Sequence, residues 1–212
     1  MSEIAYKTLR EEGYGEFVIQ KSRFIGYASP MQTQEDALEY IRIIKEKHRD
    51  ASHHCYAYVI GSNAGIMRYQ DDGEPTGTAG QPIMEVIKTK SLVNTCVVVV
   101  RYFGGTLLGT GGLARSYSHA AALAVDSAKE VTMEPSVRLS LTIPYTIWDK
   151  LQHQLLNLPV QMGQAQYTHQ VRLPLVLRAQ EQTDIEKSIA DLSDGRVQSA
   201  ELERLYYAWP SA

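Results

Sequence analysis

The residues best placed to do chemistry lie between positions 95 and 117, in the stretch TCVVVVRYFGGTLLGTGGLARSY. Four consecutive valines predict a strand buried on both faces, and Arg101 comes directly after it. The turn that follows is rich in glycine, which adopts positive φ and allows close backbone approach; its glycines are Gly104, Gly105, Gly109, Gly111 and Gly112. A helix starting near Leu113 would add unpaired N–H groups at its positive end. The pattern predicts an anion site flanked by Arg101 and Arg115; the alternative is a turn whose glycines serve only tight helix-to-strand packing.

A second cluster of reactive side chains occupies the loop YQDDGEPTGTAGQPI, residues 69–83. Its acids, Asp71, Asp72 and Glu74, could hold a hard cation or act as acid and base. The loop lacks the alternating ligand spacing of an EF-hand, so we expect no bound metal. If a metal did bind, Asp71 and Asp72 would be its ligands. The alternative is that the carboxylates cap turns and the next helix, whose start would include Thr78.

Composition is that of an ordinary globular chain with one large or two small domains. The 212 residues are 44% hydrophobic, with a formal net charge of −3 and similar numbers of basic and acidic residues in both halves. Any polyanion site must therefore be a local patch. A charged N-terminal segment and the absence of a long apolar stretch predict a cytoplasmic protein without membrane spans. Cys55 and Cys96 lie in apolar runs, which favours buried reduced thiols, and no cofactor is expected.

The N-terminal part has a mixed α and β pattern. We predict a strand pair around 16–28, a helix over 33–48 opened by a capping box of Thr33 and Asp36, and a strand at 53–61. A loop is predicted at 66–77, a helix at 81–88, a strand at 96–101 and an alanine-rich helix at 113–128. Met133 to Pro135 mark a boundary, which divides the chain into domains 1–134 and 136–212.

The C-terminal part repeats short elements in the order βαββαβ, which predicts a ferredoxin-like module. Alternating apolar residues give strands at 137–143 and 171–177. A helix from 147, a short strand near 160–167 and a last strand at 197–207 complete the order. Pro174 favours an edge position or a bulge for its strand. Thr183 and Glu186 predict a second capping box, and Gly195 a helix stop. The fold class is therefore α+β.

Four blocks in this order resemble the IMPACT family, specifically its bacterial YigZ-type members with two domains. They are KSRF from Lys21, ASHHCYAY from Ala51, the acidic loop DDGEPTGTAGQPI, and the glycine-rich stretch VVVVRYFGGTLLGTGGLARSY. The resemblance implies an N-terminal α/β sandwich like the second domain of small-subunit ribosomal protein five. It implies that the C-terminal module is like the last domains of elongation factor G.

The eukaryotic relatives are translation regulators, so the resemblance implies a regulator that binds RNA or a ribosome-associated component. Its binding surface would combine the glycine turn with neighbouring basic, aromatic and histidine side chains; these residues are Lys21, Arg23, His54, Arg101, Tyr102, Phe103, Gly104, Gly105, Gly109, Gly111, Gly112 and Arg115. The acidic loop, with Asp71, Asp72, Glu74 and Thr78, adjoins that surface.

Two other functions stay open at this level. A metal-dependent hydrolase or phosphoryl-handling enzyme could use Asp71 or Asp72 as base or ligand. The sequence contains no G-x-S-x-G, H-E-x-x-H or P-loop lysine, which favours a binding protein over an enzyme. The C-terminal module could also bind a protein partner through Arg172, Arg178, Arg196 and Arg204, although scattered surface charges have the same pattern.

Overall fold

The computed structural model describes residues 4–209, which form two compact units: one is Tyr6–Thr132, and the other joins residues 4–5 to 133–209. The strands of the first are β1 (Tyr6–Leu9), β2 (Gly13–Ile19), β3 (Ser22–Pro30), β4 (His53–Ile60), β5 (Ile66–Gln70) and β6 (Thr95–Tyr102). Its helices are α1 (Gln34–Lys47), α2 (Gly80–Thr89) and α3 (Gly109–Ala128). The chain is thus an α+β protein.

The N-terminal unit is built around an antiparallel sheet of order β2-β3-β6-β4-β5. Side chains of the central strand β6 alternate between two cores. Val97 and Val99 face α2 and α3, whereas Val98 and Val100 face α1. The prediction of a strand buried on both faces is therefore confirmed. Because side chains alternate along β6, neighbouring residues at its C-terminal end lie on opposite faces of the sheet.

Small residues let α3 lie directly on the sheet. A Cβ atom placed on Gly26 of β3 would lie 2.2 Å from the Ala120 carbonyl oxygen of α3, and one on Gly13 of β2 would lie 2.0 Å from that of Ala124. Real Cβ atoms do not approach oxygen that closely, so the glycines are required for this packing. The position of α3, and so of its N-terminus, follows from these contacts.

Three elements of the N-terminal unit differ from the sequence prediction, one of them β1, for which no strand was predicted; the others agree with it. The segment Ile66–Gln70, expected as a loop, is strand β5, an edge strand paired with β4 whose mostly exposed side chains carry little hydrophobic signal. Helix α3 begins at Gly109 rather than near Leu113. The prediction placed the start too late because the first turn contains glycines, which have low helix propensity. Helix α1 has the predicted capping box, and α2 lies where expected.

The C-terminal unit contains β7 (Glu130–Ile143), α4 (Tyr145–Leu155), β8 (Val160–Met162), β9 (Gln166–Tyr167), β10 (Val171–Arg178), α5 (Gln182–Leu192) and β11 (Gln198–Ala208). Strand β7 starts three residues before this unit does. It pairs with β11 and β10, and β10 pairs on its other side with β8 and β9, all antiparallel. The apolar faces of α4 and α5 pack with β7 and β10 in one core.

One prediction for this unit is wrong: Thr183 lies inside α5, whose first residue is Gln182 and which has no side-chain cap. The prediction for Pro174 is met by a bulge. Strand β10 is an interior strand, but Leu175 pairs with Met162 and Arg172 with Gln166, so three residues oppose two at the proline. The Pro174 carbonyl accepts from Gly163 N at 2.8 Å, so the proline nitrogen, which has no hydrogen to donate, faces this bulge. Gly195 follows the helix with φ of +71° and donates to Ala190 O at 2.9 Å, as predicted for a stop.

Most of the arginines suggested for partner binding in this unit already have carboxylate partners. Arg178 pairs with Glu134, Arg196 with Asp194 and Arg204 with Glu201. Within residues 4–209, no helix is long and apolar enough to cross a membrane.

Candidate functional site

A buried ion pair lies beneath the glycine-rich turn. Arg101 is only 4% exposed, and its Nη1 lies 2.6 Å from Oε1 of Glu74, itself 8% exposed. Because odd-numbered β6 residues face α2 and α3, the Arg101 side chain enters the core instead of flanking an exposed site. The expectation that Arg101 contacts an anion at the surface is therefore wrong, since Glu74 neutralises the guanidinium inside the protein.

The ion pair is part of a hydrogen-bonded network. Tyr117 of α3 donates to Glu74 Oε1 at 2.7 Å, and Arg101 Nη2 donates to Ser22 Oγ at 3.4 Å. Burial, with Cys55 and Glu74 close by, raises the pKa of Tyr117 above its usual value. Burial also raises the pKa of Cys55, whose thiol donates to the Asp71 carbonyl at 2.9 Å. Cys55 is therefore a protonated, buried thiol, as the composition suggested.

The glycine turn is held against the start of β3. A Cβ atom on Gly104 would lie 2.1 Å from the carbonyl carbon of Lys21, and Gly104 N donates to Ser22 Oγ at 3.1 Å. Gly105 and Gly109 have φ of +80° and +70°, which L-residues rarely adopt. These glycines bring exposed Lys21 to the turn.

The N-terminus of α3 carries an unmatched positive charge. Its first turn is Gly109 to Gly112, with no acidic residue and no side-chain cap. Arg115, which is exposed, folds back so that its Nη1 lies 3.6 Å from where a Cβ atom on Gly111 would be. No hydrogen bond or ion pair joins this guanidinium to any other described residue. A cation at the positive end of a helix is unfavourable by about 0.3–1 kcal/mol, so this arrangement is suited to an anion.

A pocket of about 370 Å³ opens beside this helix end, and we call it the Arg101 pocket. Its apolar walls are Pro75, Phe103, Leu107, Leu108 and Leu113, and the remaining lining residues are His53, Glu74, Arg101, Gly109 and Thr110. Phe103 is 47% exposed and Leu107 85%. The Nε of Arg101 is buried and has no hydrogen-bond acceptor among the described residues.

Three predicted site residues lie on the opposite face of the sheet, with α1. The Tyr102 hydroxyl is 2.9 Å from His48 Nδ1, and His54 Nε2 donates to the His48 carbonyl at 2.9 Å. Arg23 pairs with Glu16 at 2.6 Å. Strand alternation separates these side chains from Arg101 and Phe103, so they do not join the glycine turn.

The acidic loop is structural. Asp71 accepts from the amides of Gly77, Ala79 and Gly80 at 2.9, 3.1 and 2.8 Å, which caps α2. Asp72 accepts from His54 N at 2.8 Å and faces Lys45. Burial alone would raise the pKa of Asp72, but these two contacts outweigh it and lower the pKa.

Thr78, the fourth residue that the sequence singled out in this loop, also has an internal hydrogen bond. The hydroxyl of Thr78 donates to the carbonyl of Pro75 at 2.7 Å. No three potential metal ligands cluster anywhere in residues 4–209.

The sequence interpretation missed Tyr117, Ser22 and the leucines of the pocket. Ser22 and Tyr117 belong to the quoted blocks, but neither has a local pattern that marks it as a network member. Tyr117 follows Leu113 by four residues, a helical spacing that places both on the buried face of α3. That spacing was the one sequence pattern that could have placed Tyr117 in the core beneath the glycine turn.

Comparison with known proteins assigns the chain to a family. Residues 20–125 match the Impact N-terminal domain, and residues 141–196 match a domain of unknown function, DUF1949. The chain is 36% identical to the Bacillus subtilis IMPACT family member YvyE over 95% of its own length and 93% of that protein. The chain belongs to the IMPACT family.

Further relatives of this IMPACT protein agree with the assignment. IMPACT family member YigZ of Escherichia coli is 32% identical over 87% of this chain and 92% of its own. A shorter match, 31% identical, joins 42% of this chain to 35% of the Saccharomyces cerevisiae Protein IMPACT homolog. The crystal structure of a hypothetical protein superposes with a TM-score of 0.62 at 29% identity, covering 96% of this chain and 99% of the other. The two-domain α+β architecture is thus shared.

Proposed function

We propose that this IMPACT protein is a translation-associated regulator that acts without catalysis, by binding RNA or a ribosomal component that presents RNA. The binding surface, which we call the α3 surface, consists of Lys21, Phe103, Gly104, Gly105, Gly109, Gly111, Gly112 and Arg115. The observation that carries the proposal is the unpaired Arg115 guanidinium over the uncapped, glycine-built first turn of α3. Phosphate is an anion suited to such a site, because backbone N–H groups and a guanidinium both donate to it.

The internal hydrogen bonds of the acidic loop support this proposal. Exposed carboxylates beside the α3 surface would repel phosphates, but Glu74 is neutralised by Arg101 and Asp71 caps α2. The same bonds occupy the groups that the alternative enzyme would need, because both Asp71 oxygens accept backbone amides. Binding is therefore the better-supported function.

We also infer that both units have folds common in the translation machinery. The strand order β11-β7-β10-β8, with two helices packed in the same core, supports a ferredoxin-like C-terminal unit of the kind in elongation factor G. The five-stranded sheet with helices on both faces supports the likeness of the N-terminal unit to the second domain of small-subunit ribosomal protein five. Fold analogy adds to the site argument and does not replace it.

The proposal predicts that Arg115→Gln weakens binding of single-stranded RNA about fivefold at 0.1 M salt and lowers the slope of log affinity against log salt by about 0.7. Both values follow from the loss of one phosphate contact. The measurement is fluorescence anisotropy of a labelled single-stranded RNA across a salt series, with purified ribosomes as a second ligand.

The matched control is Arg68→Gln, which removes the same charge from an exposed position on β5. It should leave the affinity and the salt slope close to those of the unmodified protein. Equal weakening by the two variants would show a diffuse charge effect, and unchanged binding by Arg115→Gln would refute the site.

A further inference from the structure

We propose that the Arg101 pocket receives one unstacked nucleobase of the bound strand, while the adjoining phosphate lies on the first turn of α3 against Arg115. This inference rests on the proposed function and names what the site recognises. It assigns separate chemical parts of one nucleotide to two neighbouring parts of the protein.

Charge separates the two parts. Inside the pocket the positive charge of Arg101 is matched by Glu74 at 2.6 Å, so the pocket offers no net attraction to a phosphate. A phosphate there would also face the Glu74 carboxylate. The unpaired charge lies outside, where Arg115 covers Gly111. A neutral group therefore suits the pocket, and an anion suits the helix end.

The pocket is lined by polar residues as well as by apolar ones: His53, Glu74, Arg101 and Thr110 lie beside its apolar walls. His53 Nδ1 donates to the Asp72 carbonyl at 2.9 Å, and its Nε2 lies on the pocket side, 3.8 Å from Glu74 Oε1. A nucleobase carries acceptors and donors on its edges, whereas an aliphatic or phenyl side chain carries neither. A base can contact polar and apolar walls together, so it fits this lining better than an apolar peptide side chain does.

The wall that would stack on a base is Phe103. The residue is 47% exposed, and the Arg101 guanidinium carbon lies 5.3 Å from the centre of its ring. Its backbone N–H donates to Ser52 Oγ at 3.1 Å, so the residue is anchored on two sides. Single-stranded RNA is commonly recognised by stacking of splayed bases on aromatic rings.

The two parts are close enough for one nucleotide. Gly109 and Thr110 line the pocket, and the next residue, Gly111, lies under Arg115. Successive helical residues rise about 1.5 Å, so the two parts are about one helical turn or less apart along the axis. A base and its own phosphate can therefore reach both.

The test compares a ten-nucleotide RNA with an abasic strand of equal length and phosphate count, at one salt concentration, by anisotropy. The intact strand should bind about tenfold more tightly, because the abasic strand keeps the phosphate contacts and loses stacking. Phe103→Ala should remove this difference without changing the salt slope, and Phe103→Tyr should restore it. Tyr69→Ala, at an exposed aromatic residue of β5, is the matched control and should keep the difference.

The outcomes separate this inference from the proposed function. Equal affinity for the two strands, with weakening by Arg115→Gln retained, would overturn the base pocket and leave the phosphate site standing. The same conclusion would follow if Phe103→Ala kept the full preference for the intact strand. Absence of binding to either strand would overturn both proposals.

Discussion

Glu74→Ala is expected to lower the free energy of unfolding of the N-terminal unit by about 3–5 kcal/mol, the usual cost of removing one partner from a buried ion pair. The variant leaves the Arg101 guanidinium, 4% exposed, without its carboxylate. It also removes the acceptor of the Tyr117 hydroxyl. Two buried polar groups then lose their partner at once, so the effect should be among the largest for any single substitution in this unit.

The measurement must report on the N-terminal unit alone. Both tryptophans, Trp148 and Trp209, lie in the C-terminal unit, so their fluorescence serves as an internal reference. Amide hydrogen exchange in β6 as a function of denaturant gives the stability of the N-terminal sheet.

The control for this variant is Glu39→Ala, which breaks an exposed ion pair with Arg42 on α1 and should cost below about 0.5 kcal/mol. A cost for Glu74→Ala no larger than that of Glu39→Ala would contradict the described network.

Gly104→Ala is expected to destabilise the N-terminal unit by about 1–3 kcal/mol, as overpacking does, and to weaken RNA binding. The added methyl group would lie 2.1 Å from backbone of Lys21, which cannot move aside as a flexible side chain would. The turn must then lift from β3 and lose its hydrogen bond to Ser22. Phe103, the neighbouring residue, would move with it.

Gly105→Asn is the matched comparison. Gly105 has φ of +80°, but a Cβ atom there meets nothing within 4 Å, and asparagine adopts left-handed conformations more readily than most residues. We expect a loss below about 0.5 kcal/mol and nearly unchanged RNA binding. The same hydrogen exchange and anisotropy measurements apply, and equal effects of the two variants would show that close approach at Gly104 is unimportant.

Local patterns in the sequence were sufficient to predict most elements and the buried central strand. The capping box of α1 and the four valines of β6 each combine propensity with hydrophobic periodicity, so the elements they predict are present. Strand β5 was missed because an exposed edge strand lacks that periodicity. The start of α3 was missed because its first turn contains glycines, which have low helix propensity.

The site was harder to predict because its key pair is not local. Arg101 looked free in the sequence, yet Glu74, 27 residues earlier, neutralises it through a loop that packs under the turn. The period of two in β6 did contain usable information, since it places Tyr102 on the face opposite Arg101. Applying that alternation to β6 and β4 would have excluded Tyr102 and His54 from the surface. Arg115 is exposed beside the glycines of α3, where the sequence interpretation placed it.

The most direct test of the phosphate site is a ¹⁵N NMR titration of the protein with a short single-stranded RNA, compared with Arg115→Gln. The account predicts that the largest amide shift changes fall on Gly109, Thr110, Gly111 and Gly112, with smaller ones at Gly104 and Gly105. In Arg115→Gln the changes should need more RNA and stay in the same residues. Shift changes confined to other parts of the chain, with the Gly109 to Gly112 amides unmoved at saturation, would contradict the account.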